Sequence, residues 1–220
     1  MSNYASAAKP VSIGGGVSVA PVGTALPTST ADTLNQAFTA LGYISTDGVV
    51  RSRSDSTTEQ KVWGGPVVAT TTEGYTETIK LKVVDIANVE ALAMAYGDAT
   101  GSFAEGITVK SGGGERPHRS IVVDAIGGDN AKLRTVIPDG VVTALGDRVY
   151  KDNELVGCEM TITAIADSTG HTVYEYIKQG SVAAASSGTE TTGTETGGET
   201  GGETGGDNSG GETTGESTGG

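Results

Sequence analysis

Residues 75–83 carry the strictest constraint in the chain. The odd positions Tyr75, Ile79, Leu81 and Val83 are apolar, while the even positions Thr76, Thr78, Lys80 and Lys82 are all polar. A period of two sends successive side chains to opposite faces, so this run is a strand with one dry and one wet face, and it needs a sheet around it. Only Glu77 interrupts the dry row.

The rest of the folded part reads the same way. Residues 107–110, 120–126, 131–137, 159–166 and 173–178 are short β-prone runs bounded by Gly, Pro, Asp or Asn. Gly127-Gly128-Asp129-Asn130 and Asp167-Ser168-Thr169-Gly170 stand at hairpin distance between neighbouring runs. Two helices are expected. In 29–41, Leu34, Ala37, Phe38 and Leu41 fall at helical spacing, Ser29 and Asp32 resemble a capping box, and Gly42 closes the end. In 88–96, Val89, Leu92, Ala93 and Tyr96 share a face between a capping Asn88 and a closing Gly97. The fold class is therefore mainly β: an antiparallel sandwich or small barrel with one or two short helices.

Three regions follow. Residues 1–30 hold Pro10, Pro21, Pro27 and the triplet Gly14-Gly15-Gly16 among loosely alternating valines, and read as an extended arm or a frayed leader. Residues 31–180 form the β-rich domain. From 181 to 220 the composition changes to Gly, Thr, Ser and acid, and after Gly188 no apolar residue is left to bury, so this segment is expected to be disordered. It contains seven acids (Glu190, Glu195, Glu199, Glu203, Asp207, Glu212 and Glu216) and no Lys or Arg, so more than half of the net charge of −13 belongs to it. The domain itself is mildly acidic, which argues against a protein built to grip phosphates.

Catalytic chemistry is hard to find. His118 and His171 have no companions at metal-ligand spacing, and Cys158 reads as a small packed side chain. The glycine triplet lacks the Lys-Ser/Thr of a phosphate loop, and the Gly-rich acidic repeats lack the apolar position of calcium-binding β-rolls. No enzyme, metal or cofactor is expected. There is no basic start followed by an apolar run, no stretch of membrane-spanning length, and no second cysteine for an internal disulfide, so folding is expected in a cytoplasm. The polar stretch 51–61, with Arg51, Arg53, Asp55, Glu59 and Lys61, reads as an exposed loop.

The order of segments is more informative than any one of them. APVGTALPTS at 20–29, LGYISTDGVV at 41–50, VWGG at 62–65, YTETIKLKVVDIANVEALAMAYGD at 75–98 and IPDGVV at 137–142 together resemble the major tail, or tail tube, proteins of long-tailed, non-contractile bacteriophages, especially those of actinobacteria. The resemblance covers about residues 10–180. It implies a β-sandwich flanked by a helix, assembled as hexameric rings that stack into a tube through which DNA reaches the host. It implies as partners the protein itself, tape-measure, tail terminator and distal tail proteins, with DNA passing unbound and no membrane involved. The place of function is then the virion, after assembly in the host cytoplasm. It also implies that the 51–61 loop, through Arg51, Arg53, Asp55, Glu59 and Lys61, and the N-terminal arm reach the next ring, and that the 88–96 helix packs outside the inner sheet. Asp124, Asp129 and Glu159 are candidates to line the lumen. The rival readings are a surface or matrix β-domain on an acidic stalk, for which no export signal is visible, and a small binding or enzymatic domain whose site is assembled from distant loops.

Overall fold

The computed structural model of the chain describes residues 7–180. The chain divides into two units, Met1–Ala183 and Ala184–Gly220, and every described residue belongs to the first. The acidic segment read as disordered lies outside the described residues. In chain order the elements are β1 (Lys9–Pro10), β2 (Val17–Pro21), β3 (Thr39–Ala40), β4 (Ile44–Lys61), β5 (Val67–Val83), α1 (Val89–Tyr96), β6 (Gly97–Ser102), β7 (Gly106–Ser111), β8 (Arg119–Ile126), β9 (Lys132–Leu145), β10 (Cys158–Ile165) and β11 (Tyr174–Lys178).

All of these pairings are antiparallel. The main sheet runs β3-β2-β8-β9-β10-β5-β4, with β1 added beside β8 and β11 beside β9, while β6 and β7 form a separate hairpin. The alternation at 75–83 is realised as expected. Glu77, Ile79, Leu81 and Val83 point inward and are buried, and Lys80 is exposed. They meet Val17 and Val19 of β2, Ile121 of β8, Ile137 and Val142 of β9, and Met160 and Ile162 of β10 in one core. On the wet face the charges neutralise each other, with Lys80 2.6 Å from Glu159 and Lys82 3.0 Å from Glu154.

Helix α1 forms with the caps its sequence offers: Ala91 donates its N–H to Asn88 Oδ1 at 3.0 Å, and Gly97, at φ 90°, donates its N–H to the Ala93 carbonyl. Its buried residues are Ala91, Leu92, Met94 and Ala95, so the inward face is rotated away from the Val89 and Ala93 expected from spacing, while the expected Leu92 is buried and Tyr96, half-buried, packs against the core. Arg119 of β8 holds Glu90 at 2.7 Å, and Arg116 donates to the carbonyls of Ala95 and Val142, which fixes the helix to the sheet at both ends.

Four expectations are corrected. The helix at 29–41 is absent. Ser29 and Asp32 do bond, at 2.7 Å, but the Asp32 carboxylate turns back to the Thr28 N–H, and Arg134 takes the carbonyls of Ser29 and Asp32 at 2.9 and 2.7 Å. Those carbonyls would have to accept the first intrahelical bonds, so the turn is captured by a side chain about a hundred residues away. Within 1–30, Val17–Pro21 is a sheet strand rather than an arm, because Val17 and Val19 fill the core beside β8. The 167–170 turn does not make a hairpin: β10 and β11 lie one after the other along the same edge of β9, on Asp139–Leu145 and Lys132–Val136. The segment 51–61 is not a loop but the outer part of β4.

Arg134 is the residue most dependent on its partners. It is nearly buried, clamps Asp124 through two bonds of 2.6 and 2.9 Å, and holds the 29–32 turn. Removing one member of such a pair strands the other, so Arg134→Ala is expected to lower unfolding free energy by about 3 kcal/mol in urea titration. A loss within error of zero would contradict this account of the 29–32 turn.

Candidate assembly interface

Strands β4 and β5, 18 and 17 residues long, are far longer than the sheet that receives them. Strand β10 covers β5 only from Val83 to Glu77. The remaining ten residues of β5, with their partners on β4, extend outward as a two-stranded hairpin about 33 Å long at the usual rise per residue. Every residue from 50 to 76 is exposed, on both faces. This explains why its sequence reads as a loop: a ribbon wet on both sides has no dry row to reveal a period of two.

Of the five polar residues expected to make contacts, Asp55, Glu59 and Lys61 are on this hairpin and Arg51 and Arg53 lie at its root, opposite Ile79 and Glu77, and all are engaged within the molecule. Arg51 lies 2.7 Å from Glu77 and 3.3 Å from Glu175. Arg53 bonds Asp55 at 2.9 Å and stacks 4.3 Å over the Tyr75 ring. Lys61 is 3.7 Å from Glu59. The exposed pairs among these, Arg51–Glu175, Arg53–Asp55 and Lys61–Glu59, are worth at most about 1 kcal/mol each. The tip is different. Trp63 is fully exposed, and Val62, Val67 and Val68 stand exposed around it. Covering one Trp removes roughly 200 Å² of surface from water, an upper bound of about 5 kcal/mol. The apolar tip therefore offers more binding energy than the ionic stem, and the sequence carried Trp63 only within the VWGG segment of the family resemblance, not as a contact residue.

Two open strand borders, the long β4 and the five-residue β11, add to this surface. Among the described residues β4 has only β5 beside it, and β11 has only β9. Their outward N–H and C=O groups face no strand, and Ile177 on β11 is exposed. Open edges of this length are templates for pairing with another chain.

The residues examined for chemistry do not converge. His118 bonds Asp139 at 2.8 Å on the surface, and His171 contacts Thr169 in a turn. Cys158 is buried beside the Tyr96 hydroxyl, and burial pushes its thiol up, away from the reactive thiolate. Among the described residues no group of three or more His, Cys, Asp or Glu is placed to hold a metal ion, and no helix is long and apolar enough to cross a membrane. Of the acids considered for a lumen, Asp124 and Glu159 are neutralised by Arg134 and Lys80, leaving Asp129 in the turn before β9.

The dry-row exception, Glu77, is the one buried carboxylate at the root of the hairpin. Burial pushes its carboxyl up, but the Thr172 hydroxyl and the Arg51 guanidinium donate to it and outweigh that effect, holding it below the ordinary glutamate value.

Comparison with known proteins supplies one match: a family model described as phage tail tube protein covers residues 4–189. No curated protein matches the chain.

The sign of the Glu77 shift sets a pH dependence. A lowered carboxylate contributes stability that is complete above its ordinary value of 4.5 and is lost as pH falls through the lower folded-state value. Denaturation midpoints of the parent and Glu77→Gln are expected to differ most above the ordinary value of 4.5 and to converge as pH falls below it. A gap that stays constant across that window would contradict the ionised, paired state of Glu77.

Proposed function

Because the chain belongs to the phage tail tube protein family, and so is a structural component of the virion tail, we propose that its copies close into hexameric rings, that the rings stack into a hollow tube, and that DNA passes through the lumen to the host. The observation that carries this reading is the β4–β5 hairpin, exposed on both faces and ending in an apolar tip beyond any support from its own sheet. A two-stranded ribbon of this length is marginal in water by itself, and a second copy of the chain is the natural surface for it.

In this reading ring closure uses the free borders of β4 and β11, since pairing around a closed axis satisfies their backbone groups without leaving a new edge. Stacking uses the hairpin, including Arg51, Arg53, Asp55, Glu59 and Lys61 on its stem and Trp63 at its tip. The far end of β5 leads into exposed Tyr43 and Ile86, so tip and opposite end are different surfaces, and contact between them propagates along an axis instead of closing a dimer. The mild acidity of the domain suits DNA that slides past without counterion-release traps. Tape-measure, tail terminator and distal tail proteins would meet the tube at its interior and ends.

Three outcomes test the proposal. Trp63 is the only tryptophan, so its fluorescence is expected to resemble free indole in water before assembly and to shift to the blue as tubes form; an unshifted spectrum in assembled tubes would remove the tip from the interface. Replacing residues 54–74 by a short Gly-Ser turn is expected to leave a folded protein that forms rings but no stacks in negative-stain micrographs, and tubes of normal length would refute the hairpin's role. Deleting residues 181–220 is expected to leave tube formation intact; loss of assembly would place that segment in the contacts.

A further inference from the structure

Glu77 stands at the boundary where β5 stops being a sheet strand. It is the last residue of β5 paired with β10, opposite Ala164; one residue further out, β4 is the only neighbour. Arg51, opposite Ile79, and Arg53, opposite Glu77, lie on the same face of the ribbon as Glu77 and Tyr75, because directly opposed residues and residues two apart share a face. From that face three contacts cross to the stretch 170–175, two to the connection between β10 and β11 and one to the start of β11. Arg51 reaches Glu175 at 3.3 Å, Glu77 accepts from the Thr172 hydroxyl, and the Tyr75 hydroxyl donates to the Gly170 carbonyl at 3.4 Å.

The segment they touch is itself braced. Asp167 accepts from the Thr169 N–H and hydroxyl at 2.8 and 2.7 Å, from the His171 N–H at 3.2 Å and from the Tyr174 hydroxyl at 2.6 Å. The Thr169 and Tyr174 hydroxyls hold the Asp167 carboxyl well below the usual carboxylate range, so the brace stays ionised and closed. A hairpin about 33 Å long magnifies any change of angle at its root, and an apolar contact there would tolerate rotation. A buried carboxylate with two directed donors does not.

We propose that Arg51, Glu77 and Thr172, seated on the braced 167–172 turn, form a pin that sets the direction in which the β4–β5 hairpin leaves the domain, and that Glu77 is a positioning residue for assembly. The assembly part rests on the function proposed above; the directional part does not. Ionic contacts of this kind cost desolvation and are often replaceable by apolar residues with no loss of stability, so direction and stability are separable here.

The test uses the full chain with spin labels at Thr71→Cys in the exposed outer part of β5 and Lys132→Cys at the start of β9, the native Cys158 being buried. The distance distribution between labels is expected to be narrow in the parent and at least twofold broader in Glu77→Gln and in the double variant Arg51→Met/Glu77→Met. The double variant is expected to keep the parent's denaturation midpoint yet to yield at least tenfold fewer tubes at equal concentration. Distributions of unchanged width in both variants overturn the pin. Broad distributions with full tube yield overturn only the role of hairpin direction in assembly. A double variant with narrow distribution and full yield shows that packing alone positions the hairpin, which also overturns the pin.

Discussion

The demand of backbone N–H and C=O groups for partners governs this molecule. A sheet built from β2, β8, β9, β10 and β5 satisfies its own interior, but the chain then runs β4 along one border and lays β11 along half an edge of β9, leaving both with an outward row of unpaired groups. Charged side chains and three register shifts along its pairing with β5 blunt β4 in part, but the strand is long and free of proline, so its border stays open to another strand. What would be a hazard in a solitary protein is, in the proposed tube, a means of construction.

The same logic explains the division of charged residues. Within the body, arginine does internal work: Arg134 holds Asp124 and the 29–32 turn, Arg119 and Arg116 fasten α1, and Arg51 fastens the hairpin root. Lysines on the wet face of β5 are matched by glutamates. With these charges paired inside the molecule, the open strand borders and the exposed apolar side chains, Trp63 foremost, stand out on its surface. In the proposed tube, direction at the hairpin root and adhesion at its tip fall to different residues.

Much of the architecture was legible in the sequence where local pattern and final burial agree. The 75–83 alternation, the capped 88–96 helix and the runs that became β7, β8, β10 and β11 all carry their own signals. The errors have three different origins: a distant side chain, a local network and the lack of a dry face. Residues 29–41 hold helical spacing, yet Arg134 claims the carbonyls that a helix would need first. The 167–170 turn looks like a hairpin, yet the Asp167 network returns the chain to its former direction along β9. The hairpin stem was invisible as a strand because both its faces are wet. Glu77, the single exception in the dry row, marked the hairpin root, but only the fold shows that Arg51 and Thr172 explain it.

Hydrogen exchange resolved to single amides, compared between the isolated chain and assembled tubes, addresses the central claim most directly. The outward-facing amides of β4 and β11 are expected to exchange quickly in the isolated chain and to become at least a hundredfold more protected in the tube, while those of β8 and β9 stay protected throughout. Outward amides of β4 and β11 already protected in a non-associating molecule, or left unprotected in the tube, would contradict the account.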